Sequence, residues 1–432
     1  MAVLSPKFCQ RGPEPSATTH SCSIADSTHL KVTLFGGLES WAGQPEAWTA
    51  VGRLAIVSFV PLLFGSSEDK RKSRSSRTCR KSAKVERTAN VQRIRLDEEE
   101  TIGFREDFFQ VFEEKDFLWN ALKDPLCTEK AVARSFKLVM KWLPEEALFQ
   151  VLRLFVDARA APAILISGLA LDSDIPPTPA LPGDFRLPVS EAWLLGLARC
   201  LGVPYGMLGF YSDNARGGLI RDLSPKPGLG GINQPHIDLG LHRDVPACVS
   251  GAANEPEGFI LLALRGDPQH GALTRICSSQ HLVACLEPWQ VRALRRSPVQ
   301  TQCVRTDSLS PYGKPFYAIA GSEEDPRVTF FYIPDHQDFS YRIVSDDAET
   351  EAAYQHALNM ATDLADKVDL QAGDALLINN ARCNHGRTAF EPQLDGSDRW
   401  LLKTFVTSGW RQVGAPVSSK RPLVWPNLLV KP

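Results

Sequence analysis

The feature that most constrains this fold is a series of short apolar segments in the second half of the chain. Beyond about residue 215, runs rich in β-branched and aromatic residues alternate with turn-rich connections, which is typical of short β-strands. One long helical pattern, at 348–364, interrupts the series. This arrangement predicts a β-sandwich or a jelly roll, that is, a double-stranded, cupin-like β-helix. The predicted strands lie at 218–223, 259–264, 273–277, 299–304, 316–320, 327–333, 374–379 and 400–407.

The segment before these strands has helical periodicity. Apolar residues recur at i, i+3, i+4 and i+7 in three consecutive stretches, and a fourth helix is predicted to end at Gly202. We therefore expect an α+β fold in which N-terminal helices pack against the jelly roll. Its helical and mixed part would span 96–215, its β core 216–415, and a tail 416–432. The four helices are predicted at 116–126, 128–143, 144–159 and 188–201.

Residues 1–95 differ from the rest of the chain. They are rich in Ser, Thr, Pro and Gly, and basic residues greatly outnumber acidic ones at 70–87. Such a composition predicts a largely disordered extension. Three interpretations stay open: a targeting segment, a patch that binds nucleic acid, or a solvated tail without a partner.

Composition excludes several classes of protein. The net charge of -2 gives the whole molecule no general attraction to nucleic acid or anionic membrane. The ten cysteines are scattered and form no C-x-x-C pair, which argues against a disulfide framework and for a reducing compartment. The apolar run 54–64 is too short to span a bilayer and too far from Met1 for an ordinary signal peptide. We expect a cytoplasmic or organellar protein that is not secreted.

Three polar residues suggest a metal site. His236 and Asp238 stand two apart, so in an extended segment they project to the same face, and His385 follows an apolar strand 147 residues after Asp238. Two histidines and one carboxylate form the facial triad of non-haem iron(II) enzymes, which leaves coordination positions open. A second H-x-D motif, His242 with Asp244, has the same spacing, and spacing alone does not exclude it.

An arginine lies in a position that suits a carboxylate ligand. Arg399 lies fourteen residues beyond His385, at the start of the apolar strand 400–407. The planar guanidinium can bind a carboxylate through two parallel hydrogen bonds. The alternative is a structural arginine paired with Asp395 or Asp398.

These blocks together resemble the clavaminate synthase-like oxygenases, which depend on iron(II) and 2-oxoglutarate and include hydroxylases of free amino acids. The resemblance covers roughly residues 160–410 and is most specific in the motifs NHGRTAF and DGSDRW, at 384–390 and 395–400. It implies an enzyme that uses Fe(II), 2-oxoglutarate and O2 to oxidise a small amino-acid-like substrate. It also selects His236, Asp238 and His385 as iron ligands.

The resemblance further implies residues that hold the cosubstrate. Thr274 would hydrogen-bond 2-oxoglutarate, Arg399 would pair with its distal carboxylate, and Arg387 would support the cosubstrate or the loop. Arg221 and Arg387 are candidates for the substrate carboxylate. Candidates for the substrate amine are Asp213, Asp335 and Asp338.

Three other functions remain open from the sequence. An oxygenase of the same fold could act on a protein, lipid or nucleic acid, with the basic segment 70–87 as its docking arm. A non-catalytic binding protein is disfavoured because the ligand set is intact. A zinc hydrolase is disfavoured because it gives Arg399 no role.

Overall fold

The computed structural model describes most of the chain from residue 84 onward. Contacts divide the chain into two units, Met1–Ser66 and Ser67–Pro432, and every described residue lies in the second. Because the described residues begin at 84, most of the basic segment 70–87 lies outside them. Asp213, Asp335 and Asp338 also lie outside the described residues. The described ranges are 84–113, 125–179, 186–207, 215–216, 218–226, 235–244, 255–305, 308–331, 339–408, 423–425 and 428–429.

The described helices follow the amphipathic patterns of the sequence, and most precede the main strands. The first begins with a capping box in which Asp97 and Glu100 each accept a hydrogen bond from the other's backbone N–H. None of the described helices is long and apolar enough to cross a membrane. The helices are α1 (Glu98–Val111), α2 (Pro125–Trp142), α3 (Glu145–Arg153), α4 (Pro188–Leu201), α5 (Ser279–Cys285), α6 (Pro288–Arg296) and α7 (Ala348–Leu364).

A large sheet forms the centre of the second unit. Along its main path the strand order is β1-β2-β3-β16-β8-β18-β4-β19-β20. Off this path, β6 pairs with β18, and β5 pairs with β6. All of its pairs are antiparallel except β2 with β3. Its strands are β1 (Lys84–Arg87), β2 (Val91–Arg95), β3 (Ala163–Ser167), β4 (Val203–Met207), β5 (Ala215–Arg216), β6 (Ile220–Leu223), β8 (Gly258–Arg265), β16 (Ala375–Asn379), β18 (Trp400–Thr407), β19 (Leu423–Trp425) and β20 (Leu428–Leu429).

A four-stranded antiparallel sheet carries the polar motifs and has the order β15-β9-β17-β7. A three-stranded sheet, β11-β10-β14, and the hairpin β12-β13 complete the described strands. These strands are β7 (Leu239–His242), β9 (Thr274–Ser278), β10 (Val299–Arg305), β11 (Ser308–Phe316), β12 (Ile319–Gly321), β13 (Pro326–Val328), β14 (Phe339–Val344), β15 (Asp366–Val368) and β17 (Cys383–Arg387).

Both faces of the large sheet are buried. On one face, Ile260 and Leu262 of β8 belong to the core that the helices α1 to α4 cover. On the other face, Phe259 and Leu261 of the same strand cluster with Ile276 of β9. Residues buried on both faces explain why β8 and β18 are continuous apolar runs rather than alternating ones. The fold is thus mixed α and β, with helices on one side of the large sheet and the four-stranded sheet on the other.

The structure corrects some predicted boundaries. The extension was expected to reach residue 95, but 84–95 contain β1 and β2, because Val91 and Ile94 are buried beside β3. The helix predicted at 144–159 ends at Arg153. The helix predicted at 116–126 falls mostly outside the described residues. Strand β7, which was not predicted, lies at the candidate site.

Candidate metal centre

Two neighbouring strands bring two histidines together. In the antiparallel pair β7 and β17, His242 lies directly opposite His385. Directly opposite residues of an antiparallel pair project to the same face. The imidazole centroids are 4.5 Å apart, and the ring of Phe259 meets His385 edge-on at 4.7 Å. The two rings therefore meet in the apolar space between the sheets.

Asp244 completes the group two residues after His242. Its Oδ1 lies 3.7 Å from Nε2 of His242 and 3.7 Å from Nε2 of His385. One donor atom from each of the three residues lies within 4.8 Å of the others. Ligand atoms at about 2.0 to 2.2 Å from one ion are separated by up to about 4 Å. Small side-chain movements would let all three atoms bind a single ion.

Buried hydrogen bonds fix the backbone of Asp244. Its N–H donates to Oδ1 of Asn380 at 2.9 Å, and the Asn380 amide donates to the Asp244 carbonyl at 3.1 Å. Arg243, the middle residue of the motif, points the other way and donates to the Asn380 carbonyl and to Thr329. The alternation of an extended segment thus separates the two candidate ligands from the structural arginine between them.

The metal-ligand group of His242, Asp244 and His385 is largely buried, and its carboxylate forms an ion pair with Lys403. Burial alone would raise the pKa of Asp244, but the ion pair with Lys403 and the nearby His385 hold it well below its usual range. Burial, with His242 nearby, lowers the pKa of His385 to about 4. At neutral pH, Asp244 is therefore a carboxylate and His385 a neutral imidazole, which are the forms that bind metals.

The other H-x-D motif does not reach this group. His236 is exposed, and Asp238 forms a two-bond ion pair with Arg275 at 2.6 and 2.7 Å. Among the described residues, only His242 and Asp244 join His385 in a group with metal-ligand geometry. The family resemblance selects His236 and Asp238 as ligands, whereas the structure brings His242 and Asp244 to His385 instead. The physical reason is the register, since β7 ends beside His385 and the first motif precedes that strand.

Arg399 and Thr274 lie together near the metal-ligand group. Arg399 is 8% exposed, and its guanidinium donates to Oγ1 of Thr274 at 3.1 Å. Its Nε has no hydrogen-bond acceptor, and no carboxylate of a described residue forms an ion pair with it. Burial, with Arg387 nearby, lowers the pKa of Arg399 to about 9. Such a cation is stabilised by a bound anion.

Arg387 lies between the metal-ligand group and the pair formed by Arg399 and Thr274. It lies opposite Thr274 in the β17 and β9 pair, and its guanidinium donates to the carbonyl of Ile237 at 2.8 Å and stacks on Phe390. Arg387 therefore ties the segment before β7 to the strand that carries His385. It also adds positive charge close to Arg399.

A mixed α and β fold with two histidines and an aspartate on a buried face defines a candidate mononuclear metal enzyme. The sequence model of the taurine catabolism dioxygenase TauD, TfdA family matches residues 181–405, more than half of the chain. The chain belongs to this family, which confirms the resemblance found in the sequence.

Characterised relatives support the same family. The chain is 30% identical over 264 residues to an L-asparagine oxygenase of Streptomyces coelicolor, a match that covers 58% of this chain and 72% of the relative. It is 26% identical over 255 residues to an L-lysine 3-hydroxylase of Catenulispora acidiphila, covering 57% and 67%.

Solved structures share the fold. A crystal structure of asparagine oxygenase with Fe(II), 2S,3S-3-hydroxyasparagine and succinate has a TM-score of 0.59 at 23% identity, covering 76% of this chain and 97% of that one. The oxygenase OrfP with iron and alpha-ketoglutaric acid has a TM-score of 0.56 at 23% identity, covering 74% and 96%.

Sequence reasoning missed two residues of the site. Lys403 lies inside a predicted apolar strand, where a single lysine gives no signal of its own. Asn380 follows the strand 374–379 and resembles an ordinary turn residue. Leu239 and Leu241 alternate with Gly240 before His242, but a pattern of four residues is too short to predict a strand.

Proposed function

We propose that this protein is an Fe(II) and 2-oxoglutarate-dependent dioxygenase that hydroxylates a free amino acid or a close derivative. The observation that carries this proposal is the convergence of His242, Asp244 and His385 within 4.8 Å on the buried face of the four-stranded sheet. Family membership supports the class of reaction.

The donor set fits iron(II). Two imidazoles and one carboxylate on one side of an ion suit this metal and leave the other side for exchangeable ligands. The iron, when bound, would supply the activation of O2, for which 2-oxoglutarate gives two electrons on conversion to succinate and CO2 and the hydroxylated substrate gives the other two. His242, Asp244 and His385 would hold the metal, and Asn380 fixes the backbone of the carboxylate ligand.

The Arg399 and Thr274 pair fits the distal carboxylate of 2-oxoglutarate. A guanidinium with an unused Nε–H and a neighbouring hydroxyl offer several donors to two carboxylate oxygens. Arg387 adds positive charge and favours a dianion over a neutral ligand. The role of these residues is to bind and orient the cosubstrate.

We propose further that the large sheet and the four-stranded sheet are the two walls of a jelly roll. The apolar cluster that joins Phe259 and Leu261 to Ile276 supports this arrangement, since facing sheets share such a core. The site would then lie between the walls. There the surrounding apolar side chains would exclude water from the reacting carbon.

The amino-acid substrate rests on the relatives and on charge. Asparagine and lysine appear in the names of two relatives. Arg221 of β6 lies opposite Lys403 of β18, so β6 places a guanidinium beside the strand that borders the metal-ligand group, and Arg221 is a candidate partner for the substrate carboxylate. The succinate-release screen described below tests which amino acid is the substrate.

The test compares the two H-x-D motifs as matched pairs. His242→Ala and Asp244→Asn should weaken Fe(II) binding by more than about 100-fold, because even outer residues of metal sites cost about 10 to 100-fold. His236→Ala and Asp238→Asn are the matched controls and should leave Fe(II) binding unchanged. Binding is followed under anaerobic conditions through the visible charge-transfer band of the iron and 2-oxoglutarate chelate.

The same proteins are then screened for succinate release with free amino acids. Wild type and both control variants should respond to one substrate or a small group of substrates. Loss of iron binding in the 236 and 238 variants alone would return the ligand assignment to the first motif. A protein that binds iron and 2-oxoglutarate but releases no extra succinate with any amino acid would contradict the substrate class.

A further inference from the structure

A buried aspartate begins the loop that leads into β9. Asp267 lies just after the end of β8, and its carboxylate accepts three hydrogen bonds from the backbone of the residues that follow. Oδ2 accepts from the N–H groups of Gly271 and Ala272, both at 2.8 Å, and Oδ1 accepts from that of Gln269 at 3.3 Å. One side chain therefore fixes the path of the loop 267–273.

The far end of this loop joins the pocket of Arg399 and Thr274. The N–H of Leu273 donates to Oγ1 of Thr388 at 2.8 Å, and the same hydroxyl donates to the Gly271 carbonyl. Thr274 follows as the first residue of β9, and its Oγ1 accepts from Arg399 at 3.1 Å. The position of the Thr274 hydroxyl therefore depends on how the loop enters the strand.

Asp267 also lies within electrostatic reach of Arg399. Burial lowers the pKa of Arg399 to about 9, Arg387 acts in the same direction, and the carboxylate of Asp267 opposes the shift. The backbone N–H groups that Asp267 binds offset the cost of burying its charge. Among the described residues, no carboxylate forms an ion pair with Arg399, so the planar edge of its guanidinium stays available for a bound anion.

We propose that Asp267 is a positioning residue that keeps the loop 267–273 closed, so that the hydroxyl of Thr274 is in place to bind the distal carboxylate of 2-oxoglutarate. This inference rests on the proposed function, because it concerns the cosubstrate pocket, and it holds whichever H-x-D motif binds the metal. Without Asp267, the backbone N–H groups of the loop lose their acceptor, and the loop gains other conformations. A loop that must become ordered when the ligand binds lowers the affinity.

The test measures 2-oxoglutarate binding, which does not depend on turnover. Equilibrium dialysis is carried out on the full-length protein with Mn(II) in place of Fe(II). Asp267→Ala should weaken 2-oxoglutarate binding about tenfold, because a small displacement of a binding group removes much of its effect. Asp267→Asn should stay within about threefold of wild type, because Gly271 and Ala272 donate to a single oxygen and the carboxamide oxygen can accept both bonds.

A double-mutant cycle tests whether Asp267 acts through Thr274. Thr274→Val keeps the branched shape of the side chain and removes the hydroxyl. In the Thr274→Val background, Asp267→Ala should weaken 2-oxoglutarate binding by less than about twofold, because the effects of residues that act as a unit do not add. The same loss of affinity in both backgrounds would overturn the inference.

Asp172 provides a matched control. Its carboxylate also accepts backbone hydrogen bonds, from the N–H groups of Val189 and Ser190 at the start of α4, at 3.1 and 2.9 Å. Asp172→Ala should lower the melting temperature, as Asp267→Ala does, and leave the affinity for 2-oxoglutarate unchanged. An equal loss of affinity in the two variants would show a general effect of stability and overturn the role of Asp267.

The outcomes separate this inference from the proposed function. An Asp267→Ala protein with wild-type affinity for 2-oxoglutarate overturns the role of Asp267 while the proposed function stands. An Asp267→Asn protein as weak as Asp267→Ala also overturns it, because the charge and not the closed loop would then decide the affinity. If Asp267→Ala does not fold, Asp267→Ser is measured instead, and unchanged affinity in that variant overturns the inference. A Mn(II)-loaded wild type that does not bind 2-oxoglutarate overturns the proposed function and this inference together.

Discussion

At the scale of single residues, Arg399 is the clearest sign of a bound anion. The residue is buried, and among the described residues the one hydrogen-bond acceptor of its guanidinium is Oγ1 of Thr274. Burial lowers its pKa to about 9, and the charge of Arg387 acts in the same direction. A carboxylate placed between these groups would remove the cost of burying the charge.

We therefore expect Arg399→Met to weaken 2-oxoglutarate binding about 10 to 100-fold, since hydrogen bonds to charged groups contribute about 1.5 to 3 kcal/mol. Arg399→Lys keeps the charge without the planar fork and should lie between wild type and Met. Equilibrium dialysis of 2-oxoglutarate with the Mn(II)-loaded protein measures both. Arg295→Met, which removes a surface arginine bonded to the Gly321 carbonyl, is the control. Equal affinity in Arg399→Met and Arg295→Met would rule out this pocket.

The sequence indicated several residues of the candidate site but not how they are arranged in space. His385, Thr274 and Arg399 were candidates from the sequence, and the structure places all three between or beside the paired strands. Spacing alone does not choose the ligand motif, because His236 and His242 are six residues apart, and it was the family resemblance that selected the first motif. An even spacing keeps both on the same face of an extended segment, so the period of two does not separate them. The pairing of β7 with β17 is the observation that favours the second motif.

At the scale of elements, the metal group depends on how closely β7 approaches β17. The register of the pair shifts between His385 and Arg387, next to Gly386. A Cβ atom at Gly386 would lie 2.5 Å from the Leu239 carbonyl oxygen and 3.1 Å from Gly240. These are backbone atoms, so they cannot move away as a flexible side chain would.

Gly386→Ala should push β7 from β17 and separate His242 from His385. We expect Mn(II) affinity to fall by about tenfold or more, with a loss of about 1 to 3 kcal/mol in the free energy of unfolding. Gly271→Ala is the matched control, because a Cβ there meets its nearest atoms at 3.4 and 3.5 Å, an ordinary contact. Urea unfolding and metal titration of the two variants provide the comparison. Unchanged Mn(II) affinity in Gly386→Ala would show that the site does not need this close approach.

Two of the longer elements were predicted with exact bounds, whereas the short strand β7 was missed. The helix 188–201 and the strand 400–407 were predicted with the bounds that the structure gives them, because their periodicity or apolar run is long enough to stand out. Strand β7 has four residues, two of them polar or glycine, and its existence depends on pairing with β17. Tertiary contacts decide such strands, and no local pattern records them.

At the scale of the whole molecule, the start of the described chain is part of the fold. Strand β2 lies beside β3 in the large sheet, and Asn90 joins it to two distant elements. The Asn90 amide donates to the Leu364 carbonyl at 2.8 Å, and its oxygen accepts from the Ser278 N–H at 2.9 Å. The hairpin of β1 and β2 therefore connects the large sheet to the ends of α7 and β9.

This arrangement leads to a comparison of two truncations. Removal of residues 1–83 leaves β1 and β2 in place and should keep the melting temperature, 2-oxoglutarate binding and turnover of a free amino acid. Removal of residues 1–96 takes away β2, with its buried Val91 and Ile94, and exposes the edge of β3. We expect that protein to unfold or aggregate, because an apolar edge strand loses its partner. Thermal melting and succinate release are measured for both. A shorter truncation that melts like wild type but loses turnover would favour an enzyme whose N-terminal extension docks a macromolecular substrate.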